Sequence, residues 1–142
     1  MSATKRFLST VLCLLLCLTA LPIPQALAAD GGDYGVMPCM EYIKYSDYDF
    51  SISGSTASMY GYVEGYSDLA TKCEVSIELQ EKGLLLWNEV DTWTSSRTGT
   101  YAELDVTKAV TAGEMYRIVV TVTVWSGSDS ETQTLKSEAI EA

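Results

Sequence analysis

Cys73-Glu74-Val75-Ser76-Ile77-Glu78-Leu79-Gln80 places an apolar residue at every odd position and a polar one at every even position. Successive side chains of an extended strand point to opposite faces, so Cys73, Val75, Ile77 and Leu79 read as buried and the residues between them as solvated. The same period governs Met115 to Trp125, where Tyr116, Ile118, Val120, Val122 and Val124 make the strongest inward row of the chain.

Working outward from these two segments, the period recurs wherever the chain is not turning. Ala57, Met59, Gly61 and Val63 alternate with Ser58, Tyr60, Tyr62 and Glu64, and Ala102, Leu104 and Val106 alternate with Tyr101, Glu103 and Asp105. Tyr42 to Tyr45 and Tyr48 to Ser53 predict a first strand with Phe50 and Ile52 on one face and a break at Ser46-Asp47. Glu81-Lys82-Gly83 predicts a turn into a strand over Leu84 to Thr94. There Trp87 and Trp93 share parity but Val90 does not, which requires either a bulge or a less buried face. Glu131 to Ala139, polar except at Leu135, suits a sheet edge. Gly, Ser, Thr and Asp clusters separate the segments, and no longer window carries a helical stripe.

Seven or eight short strands in about one domain's length of chain predict an all-β fold, an antiparallel two-sheet sandwich of immunoglobulin-like or fibronectin-like type. A small closed barrel is the competing arrangement. Ala112-Gly113-Glu114-Met115-Tyr116 adds a Gly-containing turn followed by a Tyr just inside the penultimate strand. This is the pattern of a tyrosine corner, with the Tyr116 hydroxyl bonded to backbone upstream.

The first 28 residues read differently. Lys5 and Arg6 precede an apolar run from Phe7 to Leu21, and Ala26-Leu27-Ala28 supplies small residues at a cleavage position. Residues 1–28 are therefore read as a secretory signal peptide, 29–38 as a flexible leader rich in Gly and Asp, and 39–142 as a single sandwich domain. The expected location is secreted and extracellular.

Charge narrows the partners. Two of the nine basic residues lie before residue 29 and all 19 acidic ones after it, so the exported part carries a balance of −12 against −10 for the whole chain. Nucleic acid and anionic membranes are disfavoured, because phosphate binding needs clustered Lys and Arg. No membrane insertion is expected either, since no segment after the signal is apolar enough to span a bilayer. Only Cys39 and Cys73 lie beyond the signal, and an oxidising exterior predicts one structural disulfide between them across 33 intervening residues.

The arrangement Leu79-Gln80, Trp87, Val90, Trp93, Gly113 and Tyr116-Arg117 resembles a group of small secreted proteins of Gram-positive bacteria that carry it on a β-sandwich and mostly have no assigned function. The resemblance covers residues 73–124. Its shared residues are packing residues, so it implies fold and export and says nothing of activity.

Chemical signatures are sparse. The chain has no histidine, which removes the usual Ser-His-Asp and Cys-His nucleophiles and histidine metal sites. Neither a phosphate-binding Gly-rich loop nor a nucleophile elbow occurs. Glu74, Glu78, Glu103 and Asp105 offer carboxylates for glycan hydrolysis, but outward parity leaves them solvated, whereas an acid catalyst needs a buried carboxyl. Asp47-x-Asp49 and Ser128-Asp129-Ser130-Glu131 put oxygen ligands close together without matching a calcium loop. No enzyme, no cofactor and no metal is expected.

Aromatics are the surplus. All nine Tyr and all three Trp lie beyond the signal, and Tyr60, Tyr62 and Tyr66 share outward parity with Gly61 and Gly65 between them. Such a row can anchor a protein or glycan surface, or simply pack across strands. The expected function is a secreted non-catalytic module binding a protein or glycan at the cell exterior. The alternatives are a self-associating surface subunit and a carboxylate-dependent glycan hydrolase.

Overall fold

Alternation in the sequence becomes alternation in burial almost residue for residue. The structure, a computed structural model, describes residues 40–142. Its strands are β1 (Ile43–Ser53), β2 (Thr56–Gly65), β3 (Lys72–Lys82), β4 (Trp87–Thr98), β5 (Tyr101–Ala109), β6 (Met115–Ser126), β7 (Asp129–Lys136) and the short β8 (Ile140–Glu141). One sheet has the order β1-β2-β5 and the other β4-β3-β6-β7, with β8 also paired to β6, and every pairing is antiparallel.

Cys73, Val75, Ile77 and Leu79 from β3 meet Ile118, Val120, Val122 and Val124 from β6, all fully buried. Ala57, Met59 and Val63 of β2 close over them from the smaller sheet, joined by Ala102 of β5. The chain is thus an all-β, two-sheet antiparallel sandwich. β4 stays beside β3 in the larger sheet, a departure from the immunoglobulin constant arrangement, where the fourth strand joins the first, second and fifth. The fibronectin-like alternative fits this order.

Gly61 shows how closely the sheets approach. A Cβ there would stand 2.7 Å from Val75 Cγ1 and 3.3 Å from Val120 Cγ1, so any larger residue forces the layers apart at their middle. At the far end Gly113 holds φ +83°, a left-handed conformation that side chains resist. It delivers the chain into β6. Tyr116 follows, almost fully buried, its hydroxyl accepting the Thr111 N–H at 3.1 Å and donating to Glu81 at 2.7 Å.

Two expectations change and one open alternative is decided. The first strand is continuous through Ser46-Asp47, and its irregularity falls between Ile43 and Tyr45. The parity break in β4 is a bulge: Leu79 faces Asp91 while Gln80 faces Glu89, leaving Val90 as the extra residue. Leu84, Leu85 and Leu86 are not strand at all but the exposed turn before β4. Periodicity misplaced them because an apolar run beside Trp87 looks like a buried strand when its backbone is unseen.

Side-chain hydrogen bonds stitch the β1 side of the sandwich to β7. The Glu131 carboxylate accepts backbone N–H groups of Glu41, Tyr42 and Ile43 at 3.1, 2.8 and 2.9 Å. Ser46 donates to Gln133 and the Tyr48 hydroxyl to the Lys136 carbonyl. Residues 1–39, and with them the signal peptide, the leader and Cys39, lie outside the described residues. Cys73, among the described residues, is buried, its Sγ 3.5 Å from the Gly99 carbonyl.

Candidate functional site

Pairing across β1, β2 and β5 converts three separate sequence patterns into one surface. Outward residues align in rows: Tyr45, Glu64, Tyr101; then Asp47, Tyr62, Glu103; then Asp49, Tyr60, Asp105. Each row alternates tyrosine with carboxylate: the first has tyrosines at its ends and the next two have one at the centre, so every ring lies beside a carboxylate across the strands. Tyr45 and Tyr62 stand with ring centroids 6.2 Å apart at 53°, and Tyr62 stacks on Tyr101 at 6.3 Å and 25°. Such offset and tilted contacts stabilise the rings without covering them. Tyr45, Asp47, Tyr60 and Tyr62 line an open depression of about 240 Å³.

The face is electronegative, and its tyrosines register this. Burial first and then the charges of Glu103 and other acids push the Tyr60 hydroxyl above its usual value, and burial with Glu64 and Glu103 does the same at Tyr62. At Tyr45 the first cause is its hydrogen bond to Asp47, 3.0 Å long. These phenols therefore remain neutral donors at any physiological pH.

Cations of the molecule itself already occupy the rim. Lys44 reaches Glu64 at 2.7 Å, and that hydrogen bond and charge raise its pKa. Arg97, arriving from β4 of the other sheet, sets its guanidinium carbon 5.7 Å from the Tyr101 ring centroid. Arginine over a tyrosine face is an attractive cation–π contact.

Of the tyrosines singled out from sequence, Tyr60 and Tyr62 sit on the central strand of this face. Tyr66 does not line the depression. It lies just past β2, its N–H bonded to the Tyr42 carbonyl and its side chain exposed near Lys44. Missing from the sequence reading were Tyr45 and Tyr101, which join the site only through cross-strand register. Asp47, Asp49, Glu103 and Asp105 were considered only as metal or catalytic groups.

The four candidate hydrolytic carboxylates separate. Glu103 and Asp105 project from the three-stranded sheet, Glu74 and Glu78 from the outer side of the five-stranded one. Among the described residues no polar or charged side chain is buried, so none offers the desolvated carboxyl of an acid catalyst. Glu131, considered with Asp129 as a calcium ligand, spends its carboxylate on three backbone N–H groups instead.

Fold and site together define a β-sandwich with an aromatic and acidic outer face. No protein-family model and no curated relative matches the chain. Among solved structures it is similar to CsgH of R. palustris, at 12% identity and TM-score 0.39 over 63% of this chain and 88% of that one. It is also similar to a protein of Arabidopsis thaliana, at 15% identity and TM-score 0.40 over 72% and 82% of the two chains. The E. coli curli protein CsgC matches at 16% identity and TM-score 0.34, over 63% and 94%. At such scores a likeness carries no functional information.

Proposed function

We propose that this chain is an exported, non-catalytic binding module whose outer β1-β2-β5 face takes a Lys- or Arg-bearing segment of a protein partner. The observation that supports this reading is the alternation of Tyr45, Tyr60, Tyr62 and Tyr101 with Asp47, Asp49, Glu64, Glu103 and Asp105 on one face. Phenol rings attract a cation through their faces while carboxylates neutralise it, and the rings supply contact area at low entropic cost. Arg97 over Tyr101 and Lys44 on Glu64 already use both contacts. A neutral glycan would stack on the rings but leave the acids unanswered.

Calorimetric titration with a Lys/Arg-rich peptide, beside a neutral oligosaccharide and a Glu-rich peptide, tests the reading. The basic peptide binds, its affinity falls as salt rises, and Tyr62→Ala abolishes most of it. Binding of the oligosaccharide in preference to the basic peptide, or salt-independent binding, overturns it.

Self-association through the last long strand draws less support. β7 is an edge strand, but Ser46, Tyr48 and the backbone of residues 41–43 already engage Gln133, the Lys136 carbonyl and Glu131.

A further inference from the structure

Between β3 and β4 the chain reads Gly83-Leu84-Leu85-Leu86, and these leucines are 99, 89 and 75% exposed. The turn is preformed. The Gly83 N–H bonds the Leu86 carbonyl at 2.8 Å, and a Cβ on Gly83 would fall 2.6 Å from the Asn88 amide nitrogen, so Gly83 fits closely against the strand it feeds. Nothing in the described fold covers the leucines. Exposing three adjacent large apolar side chains on a fixed apex is costly in water unless something else buries them.

We propose that this tip is a membrane anchor that dips into the interface of a zwitterionic lipid bilayer. Its shape is a convex knob, which a fluid surface accommodates without a matching groove. Its surroundings follow the depth profile of an interface. Trp87 stands immediately behind the leucines, with the Arg117 guanidinium 4.2 Å from its ring, and Lys82 lies opposite Trp87 in the β3–β4 register. An amphipathic indole and two long cationic side chains belong at headgroup level, where the cations meet lipid phosphates while their stems stay in apolar contact.

Insertion is shallow. Leu84 and Leu85 lie inside a tight turn whose closing bond is Gly83 to Leu86, and backbone groups without partners are not tolerated in the hydrocarbon core. The anchor therefore stops where water still reaches the backbone, and binding is weak and reversible. The balance of −12 beyond residue 28 opposes anionic surfaces through long-range repulsion, which leaves the apolar contact with a neutral headgroup unaffected.

Flotation with phosphatidylcholine vesicles tests this directly. The chain floats with the vesicles, and Leu84→Ser with Leu85→Ser lowers the bound fraction at least tenfold while leaving the thermal melt unchanged. Should that variant fold poorly, Leu85→Trp gives an independent readout, a lipid-dependent blue shift in fluorescence. Tyr62→Ala leaves flotation unchanged, so failure of the anchor is distinguishable from failure of the peptide-binding face. The proposal is overturned if the unaltered chain stays with the soluble fraction, if the serine variant floats equally well, or if light scattering shows a dimer that the serine variant loses without any vesicle binding.

Discussion

Across β1, β2 and β5 the outward rows alternate tyrosine with carboxylate, whereas across β4, β3, β6 and β7 they run Ser96, Glu74, Thr123, Thr132 and Thr94, Ser76, Thr121, Thr134. The second face satisfies itself. Thr94 donates to Ser76 at 3.1 Å, Thr123 and Thr132 pair at 2.9 Å, and Glu78, Gln80 and Arg117 form a chain that ends on Trp87. Lys72 sits 4.1 Å from the Trp125 ring, so this face also covers one of its own aromatics with its own cation. Cross-strand hydroxyl pairs of this kind are what a solvated sheet needs for stability and little else. The tyrosine face instead holds exposed Asp47, Asp49, Glu103 and Asp105 around rings with free surface. One interior thus carries two exteriors, one whose polar groups pair with each other and one that leaves rings and carboxylates exposed.

Both exteriors depend on how near the sheets come. Gly61 lies on β2 between Tyr60 and Tyr62, so the residue that spaces the tyrosines also sets the closest approach of the layers. Gly61→Val is expected to cost about 3 kcal/mol or more, since overpacking a dense core moves backbone. Urea unfolding measures it. A loss below 1 kcal/mol would show that the layers tolerate separation and that the tyrosine face is not held rigid by the packing beneath it.

This dependence also marks how far the sequence could be read. Rows such as Val75, Ile77 and Leu79 or Ile118, Val120 and Val122 are legible because a buried strand must repeat every two residues. Register between strands is a different matter. That Asp47 and Glu103 flank Tyr62 follows from two antiparallel pairings, and neither turn length nor periodicity specifies both. The site was therefore legible as a tyrosine row on one strand and illegible as rings flanked by acids across three. Tyr66 shows the opposite error, because parity continues past the end of β2 while the backbone turns. The leucine turn failed for a third reason: an apolar run running into Trp87 carries no local signal of where strand begins, so the strand was started at Leu84 rather than Trp87.

The next largest effect separates the two faces. Tyr62→Ala is expected to weaken basic-peptide binding by about 10- to 30-fold, roughly 1.4–2 kcal/mol, as truncation of a central aromatic does. Asp47→Lys with Glu103→Lys should match it and reverse the salt dependence. Isothermal titration at two ionic strengths checks both. If the charge reversals leave affinity intact, the rings act alone and the partner is not cationic.

A smaller effect lies on the seam between the sheets. Burial pushes the Glu131 carboxyl up, but three N–H donors from Ile43, Tyr42 and Glu41 outweigh it and hold its pKa below the ordinary value. A depressed carboxyl contributes stability that is complete above the unfolded value, about 4.3, and drains away as pH falls below it toward the folded one. Glu131→Ala should cost about 1 kcal/mol at neutral pH, less than three dry charged hydrogen bonds would supply because water reaches the seam. It should also flatten the loss of stability below pH 4. Melting temperatures from pH 7 to pH 2.5 resolve this, and a variant whose acid dependence is unchanged would assign the pH sensitivity to Asp91, likewise lowered by Lys108.

The smallest effect is the sharpest discriminator between the exteriors. Thr121 stands at the centre of the hydroxyl face, on β6, facing Ser76 and Thr134. Thr121→Val keeps the β-branched shape that a strand favours and removes only a hydroxyl, so stability should stay within about 0.5 kcal/mol. Peptide affinity should not change, because the site lies on the opposite outer face. The substitution adds an apolar patch beside Val119 without touching a single tyrosine. If it weakens basic-peptide binding as much as Tyr62→Ala does, the partner bridges both faces or uses the hydroxyl one. The division into a self-paired and an exposed exterior would then be wrong at the level of chemistry, even though every strand pairing stood.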